Sequence, residues 1–138
     1  MMLTAEDFLG DWQISREISD FRLKQTGTLE GRARFVQENG CVHYAEAGTL
    51  RFAGGAPLTA ERRYLWTFTD GEVLVAYDDG APFHSFAIAE TVQATPHLCG
   101  EDMYHGTYLF GSFPDWEVLW SVKGPRKDYR SVTRYRRA

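Results

Sequence analysis

Cysteine is nearly absent from this chain. Only Cys41 and Cys99 occur, without Cys-x-x-Cys spacing, which excludes a disulfide framework and argues against a zinc site. No run of about eighteen apolar residues exists, so no membrane-spanning helix is expected. Residues 1–9 hold neither the basic stretch nor the apolar core of a signal peptide, and the protein is expected to be soluble and cytoplasmic. Lys and Arg number 15 against 19 Asp and Glu, a net charge of −4, which speaks against a general nucleic-acid binder even though residues 126–137 are locally basic. Also missing are a Gly-rich phosphate loop, a serine elbow with a partnered base, and, beyond the first nine residues, any helical period of useful length.

What is present is β-branched and aromatic sequence in alternating order, enough in 138 residues for one domain with one core, spanning 1–138. Thr4, Asp7, Phe8 and Leu9 form an N-capped helical turn too short to stand alone, suited to plugging one end of a larger structure. Turn pairs then punctuate the chain evenly: Asn39-Gly40, Gly54-Gly55, Asp70-Gly71, Asp79-Gly80, Cys99-Gly100, Pro114-Asp115 and Gly124-Pro125. Between them the pattern predicts ten strands, at 10–20, 27–38, 41–52, 62–69, 72–78, 83–89, 91–98, 102–112, 115–123 and 127–137. Each carries one apolar face. With no helix to cover so large a one-sided sheet, the expected fold is all-β, a single antiparallel up-and-down barrel, because closure removes the exposed edges.

Side chains alternate across a strand, so the inward registers can be read off. Trp12, Ile14 and Ile18 share a face with Arg16, a charge among dry residues that needs a partner. Glu46 falls on the inward face of the third strand, and strands one and three both flank strand two, so Arg16 and Glu46 either meet across Gly31 or Ala33 or contact a ligand. Tyr44, Tyr64, Tyr104, Tyr108, Tyr129 and Tyr135 all fall on inward registers. Phenylalanine would fill a dry core without asking a partner for a hydroxyl, so these tyrosines point to a cavity holding water or a polar ligand. Gly31, Ala33, Gly48 and Gly106 leave it room. His84 lies on an inner face beside Phe86, whereas His43 and His105 face outward and His97 sits near a hairpin end with Cys99 and Asp102. No histidine pair has the spacing of a metal site, and no metal is expected. The turn Gly124-Pro125-Arg126-Lys127-Asp128-Tyr129 is either a solvated tight turn or a mouth-side anchor for an anionic head group through Arg126. One of the outward cations Arg130, Arg134 and Arg136 is expected over the Trp12 ring.

Gly10-x-Trp12 behind a helical turn resembles the opening of the calycin superfamily, which includes lipocalins, fatty-acid-binding proteins and nitrobindins. The wider pattern of Arg16, Phe83-His84-x-Phe86, His97-x-Cys99, Asp102-x-Tyr104-x-Gly106-x-Tyr108 and Gly124-Pro125-Arg126-Lys127-Asp128-Tyr129 is similar to a family of uncharacterised bacterial proteins known only as a domain of unknown function. The resemblance implies a calycin barrel and brings no activity with it. The Arg-x-Tyr by which fatty-acid-binding proteins hold a carboxylate is not matched by Arg134-Tyr135-Arg136, and only residues 21–26 lie where those proteins carry a helical lid.

The expected function is a binding module that takes a small, partly polar aromatic or acidic molecule, with Arg16, Glu46, Tyr64, His84, Tyr104, Tyr108, Arg126 and Tyr129 around it. Turnover is not required. The alternative is a small calycin-type enzyme, a lyase or isomerase, in which Arg16 orients an anion, Glu46 or His84 exchanges a proton and Tyr104 or Tyr108 bonds a carbonyl or phenol. A third possibility, implied by the resemblance to nitrobindins, is haem ligation by a histidine. The cofactor and the oligomeric state are left open, a homodimer among the options.

Overall fold

The computed structural model describes residues 2–138, and most of them form one antiparallel sheet rolled into a barrel. A single helical turn, α1 (Ala5–Phe8), precedes eleven strands: β1 (Gly10–Asp20), β2 (Gln25–Glu38), β3 (Cys41–Phe52), β4 (Leu58–Thr69), β5 (Glu72–Tyr77), β6 (Pro82–Ala87), β7 (Thr91–Gln93), β8 (His97–Cys99), β9 (Asp102–Leu109), β10 (Trp116–Gly124) and β11 (Lys127–Arg137). Ten of these follow one path, β6-β5-β4-β3-β2-β1-β11-β10-β9-β7, and β8 pairs with β9 beyond β7. The first and last long strands are joined, Trp12 opposite Arg137 through Asp20 opposite Tyr129. Between β6 and the segment after β7 the seam is held by Thr95, whose amide donates to the Ser85 carbonyl and whose hydroxyl accepts from the Ser85 amide, both at 2.9 Å.

The expected strand at 91–98 is two short strands instead. Thr95 turns aside to bond Ser85, and Pro96 has no N–H to give the ladder, so β7 stops at Gln93 and β8 restarts at His97. The expected strand at 62–69 begins four residues earlier, at Leu58 opposite Leu50, and that at 102–112 ends at Leu109.

β2 and β3 approach closely where Gly31 faces Gly48. A Cβ on Gly31 would sit 2.1 Å from the Ala47 carbonyl oxygen, and one on Gly48 would sit 2.6 Å from that of Glu30. Only two glycines allow the strands this approach.

One end of the barrel is sealed. α1, closed by a capping box between Thr4 and Asp7, lowers Phe8 into a ring of Phe35, Trp66, Phe68, Phe110, Phe113 and Trp116, all with centroids 5.3–5.8 Å from its own. The Trp12 indole donates to the Phe8 carbonyl at 2.8 Å, tying strand to plug. The cation over Trp12 is Arg137, at 3.9 Å, not one of the three outward arginines expected there. Being the last strand residue, Arg137 can reach past the edge and also donate to the carbonyls of Leu9 and Asp7.

Candidate functional site

Above the plug the interior is not filled. A cavity of about 190 Å³ lies between β1, β3 to β6 and β9 to β11. The six tyrosines on predicted inward registers all line it, and so does Tyr77 at the end of β5. The chain has seven tyrosines, so every one of them faces this space. Of the residues singled out for binding, Arg16, Glu46, Tyr64, His84, Tyr104, Tyr108 and Tyr129 are brought together here. Arg126 is not among the lining residues: it is exposed on the turn between β10 and β11, where its carbonyl accepts from Arg22.

Arg16 and Glu46 meet across β2. Arg16 Nη1 and Nη2 donate to the two Glu46 oxygens at 2.7 and 2.9 Å, and Nε donates to Thr133 Oγ1 at 2.7 Å. Both side chains are 4% exposed. Tyr44 then donates to Glu46 Oε1 at 2.6 Å and lies 2.7 Å from the Tyr135 hydroxyl. With its one proton spent on the carboxylate, Tyr44 must accept from Tyr135, which fixes the direction of the chain as Tyr135 to Tyr44 to Glu46. Burial opposes the charge on Glu46, but the Arg16 hydrogen bonds and charge outweigh it and hold the carboxyl below its usual range. The same contacts raise Arg16 against its own burial. Tyr44 and Tyr135 are both pushed up by burial and stay protonated.

On the opposite wall His84 Nε2 lies 2.7 Å from the Tyr108 hydroxyl, and its Nδ1 is buried without a partner. Burial pulls the imidazole pKa down to about 3, so the ring is neutral, and it raises Tyr108 well above 10. Beside it, β6 carries one residue more than β5: Val75 pairs with His84 but Ala76 pairs with Pro82, so Phe83 is a bulge residue. Phe83 and His84 therefore both line the cavity. Phe83 lies between Tyr77 and Trp120 in a near-parallel stack, at 4.9 Å and 13° on one side and 5.2 Å and 15° on the other. Trp120 has room because Gly106 faces it from β9; a Cβ there would be 2.6 Å from the indole.

Three lining residues escaped the sequence. Phe83 depends on the bulge, which leaves no mark on the alternation, whereas Tyr77 keeps the parity of the buried Val73 and Val75 and pairs with Tyr64, so alternation could have found it. Arg62 does have a signal: it shares parity with Tyr64 and Trp66 and pairs with Glu46 in register, but the strand was expected to begin at it rather than four residues before. It is exposed at the cavity's mouth.

The chain belongs to a family of unknown function, DUF6314, whose model matches residues 8–137. No curated protein matches it. Among solved structures, the S-type phycobiliprotein lyase CPES from Guillardia theta superposes with a TM-score of 0.67 at 10% identity, covering 97% of this chain and 90% of that one. A protein of unknown function from the DUF3598 family of Nostoc punctiforme gives a TM-score of 0.59 at 12% identity, over 97% of this chain and 48% of its own. At such identity the likeness concerns the fold, a calycin-like barrel.

Proposed function

We propose that this member of a family of unknown function is a binding protein that holds a small planar aromatic molecule in the upper half of its barrel. The observation that carries the reading is that all seven tyrosines line one cavity. A dry core gains nothing from hydroxyls, whereas a site for a partly polar ring gains both flat faces and hydrogen bonds. Tyr64, Tyr129 and Ser131 add hydroxyls to the lining, where a guest can reach them. At about 190 Å³ the space is below the ~300–1,000 Å³ of sites for drug-sized ligands, and it suits one ring with short substituents. A phycobiliprotein lyase built on a barrel of this shape supports the use of the interior as a site, although 10% identity transfers no activity. The two unpaired thiols fit a reducing compartment, the cytoplasm.

Binding is preferred to proton-transfer catalysis because the groups that would move protons are engaged. Glu46 accepts three hydrogen bonds as an ion, and His84 is neutral with Nε2 held by Tyr108. Haem fits poorly because His84 Nε2 is held by Tyr108, its unpartnered Nδ1 is buried, and the space is small for a macrocycle. Calorimetric titration with benzoate, 4-hydroxybenzoate and their methyl esters tests the reading. Saturable binding to the natural protein is expected, lost in Ser131→Phe, where a ring fills the cavity. Binding by none of the four, or binding untouched by Ser131→Phe in a folded protein, overturns it.

A further inference from the structure

Four residues with ionisable acid or base groups outside the tyrosines line the cavity: Arg16, Glu46, Arg62 and His84. Arg16 and Glu46 cancel through their two hydrogen bonds, and His84 is neutral. One positive charge is left, on Arg62. It has no ion-pair partner among the described residues, and the nearest candidate across the ladder, Glu46, is already saturated by Arg16 and Tyr44. Its neighbours in parity on β4, Tyr64 and Trp66, line the cavity, and its charge is felt at Glu46, Tyr64, Tyr129 and Tyr135, the polar wall of the same space.

We infer that the ligand is an aromatic acid, and that Arg62 binds its anionic group at the mouth while the ring enters the aromatic space below. This rests on the binding function proposed above and adds the ligand's charge and the residue that selects it. Arg62 suits the task for two physical reasons. A planar guanidinium can fork a carboxylate with two parallel N–H bonds. Placed at the mouth, it remains hydrated when the cavity is empty, so the free protein does not bear the cost of a buried unpaired charge. Arg16 could not serve, because pulling it from Glu46 would strand a carboxylate in the interior.

The test compares benzoate and 4-hydroxybenzoate with their methyl esters on the natural protein, Arg62→Gln and Arg62→Lys by calorimetry. Each acid is expected to bind the natural protein about tenfold tighter than its ester, the scale of one charge-assisted hydrogen bond. Arg62→Gln should bring that ratio near one, and Arg62→Lys should restore part of it. Equal affinity of acid and ester for the natural protein, or an acid preference that survives in Arg62→Gln, overturns the assignment of Arg62 while leaving ring binding intact. Absence of binding by acids and esters alike overturns the binding function and this inference with it.

Discussion

The two halves of the barrel are built from the same strands and hold different kinds of ring. In the sealed half Phe8, Phe35, Phe68, Phe110, Phe113 and the two tryptophans Trp12 and Trp116 interlock, and tyrosine meets them only from the cavity side, Tyr135 on Trp116, Tyr44 on Phe35 and Tyr108 on Phe110. In the open half the phenylalanines reduce to Phe83, and every tyrosine is present. β1 crosses the boundary within four residues, from Trp12 and Ile14 to Arg16. An interior whose only task was stability would gain from phenylalanine throughout, since a hydroxyl taken from water needs a replacement partner. On the proposed function, the difference separates a half that holds the fold from a half that holds a ligand.

That division can be broken by mutation, beginning with the sealed half. Phe8→Ala should cost about 3–5 kcal/mol in urea unfolding, because a ring touching six others leaves a space that a closed barrel end cannot collapse to fill. In the open half, Glu46→Ala should cost about 3–4 kcal/mol by stranding the Arg16 charge. The contrast sharpens in the double variant Arg16→Met with Glu46→Met, whose stability should match or exceed that of the natural protein, since the ion pair contributes little net stability once its desolvation is counted. A large loss in the double variant would mean that the pair holds the barrel together.

Acid should act on the open half first. The His84 pKa is lower in the folded chain, about 3, than its ordinary 6.5, so between these values only the unfolded chain takes the proton. Its contribution is therefore whole above pH 6.5 and declines as pH falls towards 3, by up to roughly 1.4 kcal/mol per pH unit. Glu46 is also depressed, and its share is present above 4.5 and lost as pH falls through its folded value. Unfolding midpoints between pH 7 and 5 should fall in the natural protein and flatten in His84→Gln. The smallest effect belongs to the plug's outer edge: Arg137→Gln should cost about 1 kcal/mol through loss of the cation over Trp12, read as a shift in melting temperature.

The strand alternation alone placed Arg16 with Glu46, His84 and six tyrosines in one interior, because parity survives errors at strand ends. It also gave the plug, from the capping pattern before Phe8. What escaped it was local irregularity. The bulge at Phe83 breaks parity with nothing in residue type to announce it, and it brought in Phe83, whereas Tyr77 keeps the regular parity of Val73 and Val75. Arg62 was passed over at the first position of the expected strand 62–69, whereas β4 begins at Leu58 and holds Arg62 well inside the ladder, opposite Glu46. Arg126 failed to reach the cavity because turn composition carries charge but not direction. Whether Arg16 pairs with Glu46 depended on strand tilt and the close approach at Gly31 and Gly48, which a one-dimensional pattern does not contain.

The most direct test is a crystal structure of the protein with 4-hydroxybenzoate. Ligand density is expected inside the open half, its ring beside Phe83 and Trp120 and its carboxylate at Arg62, with the Arg16–Glu46 pair undisturbed. An interior filled by rearranged tyrosines, with no space for a ring, would contradict the account.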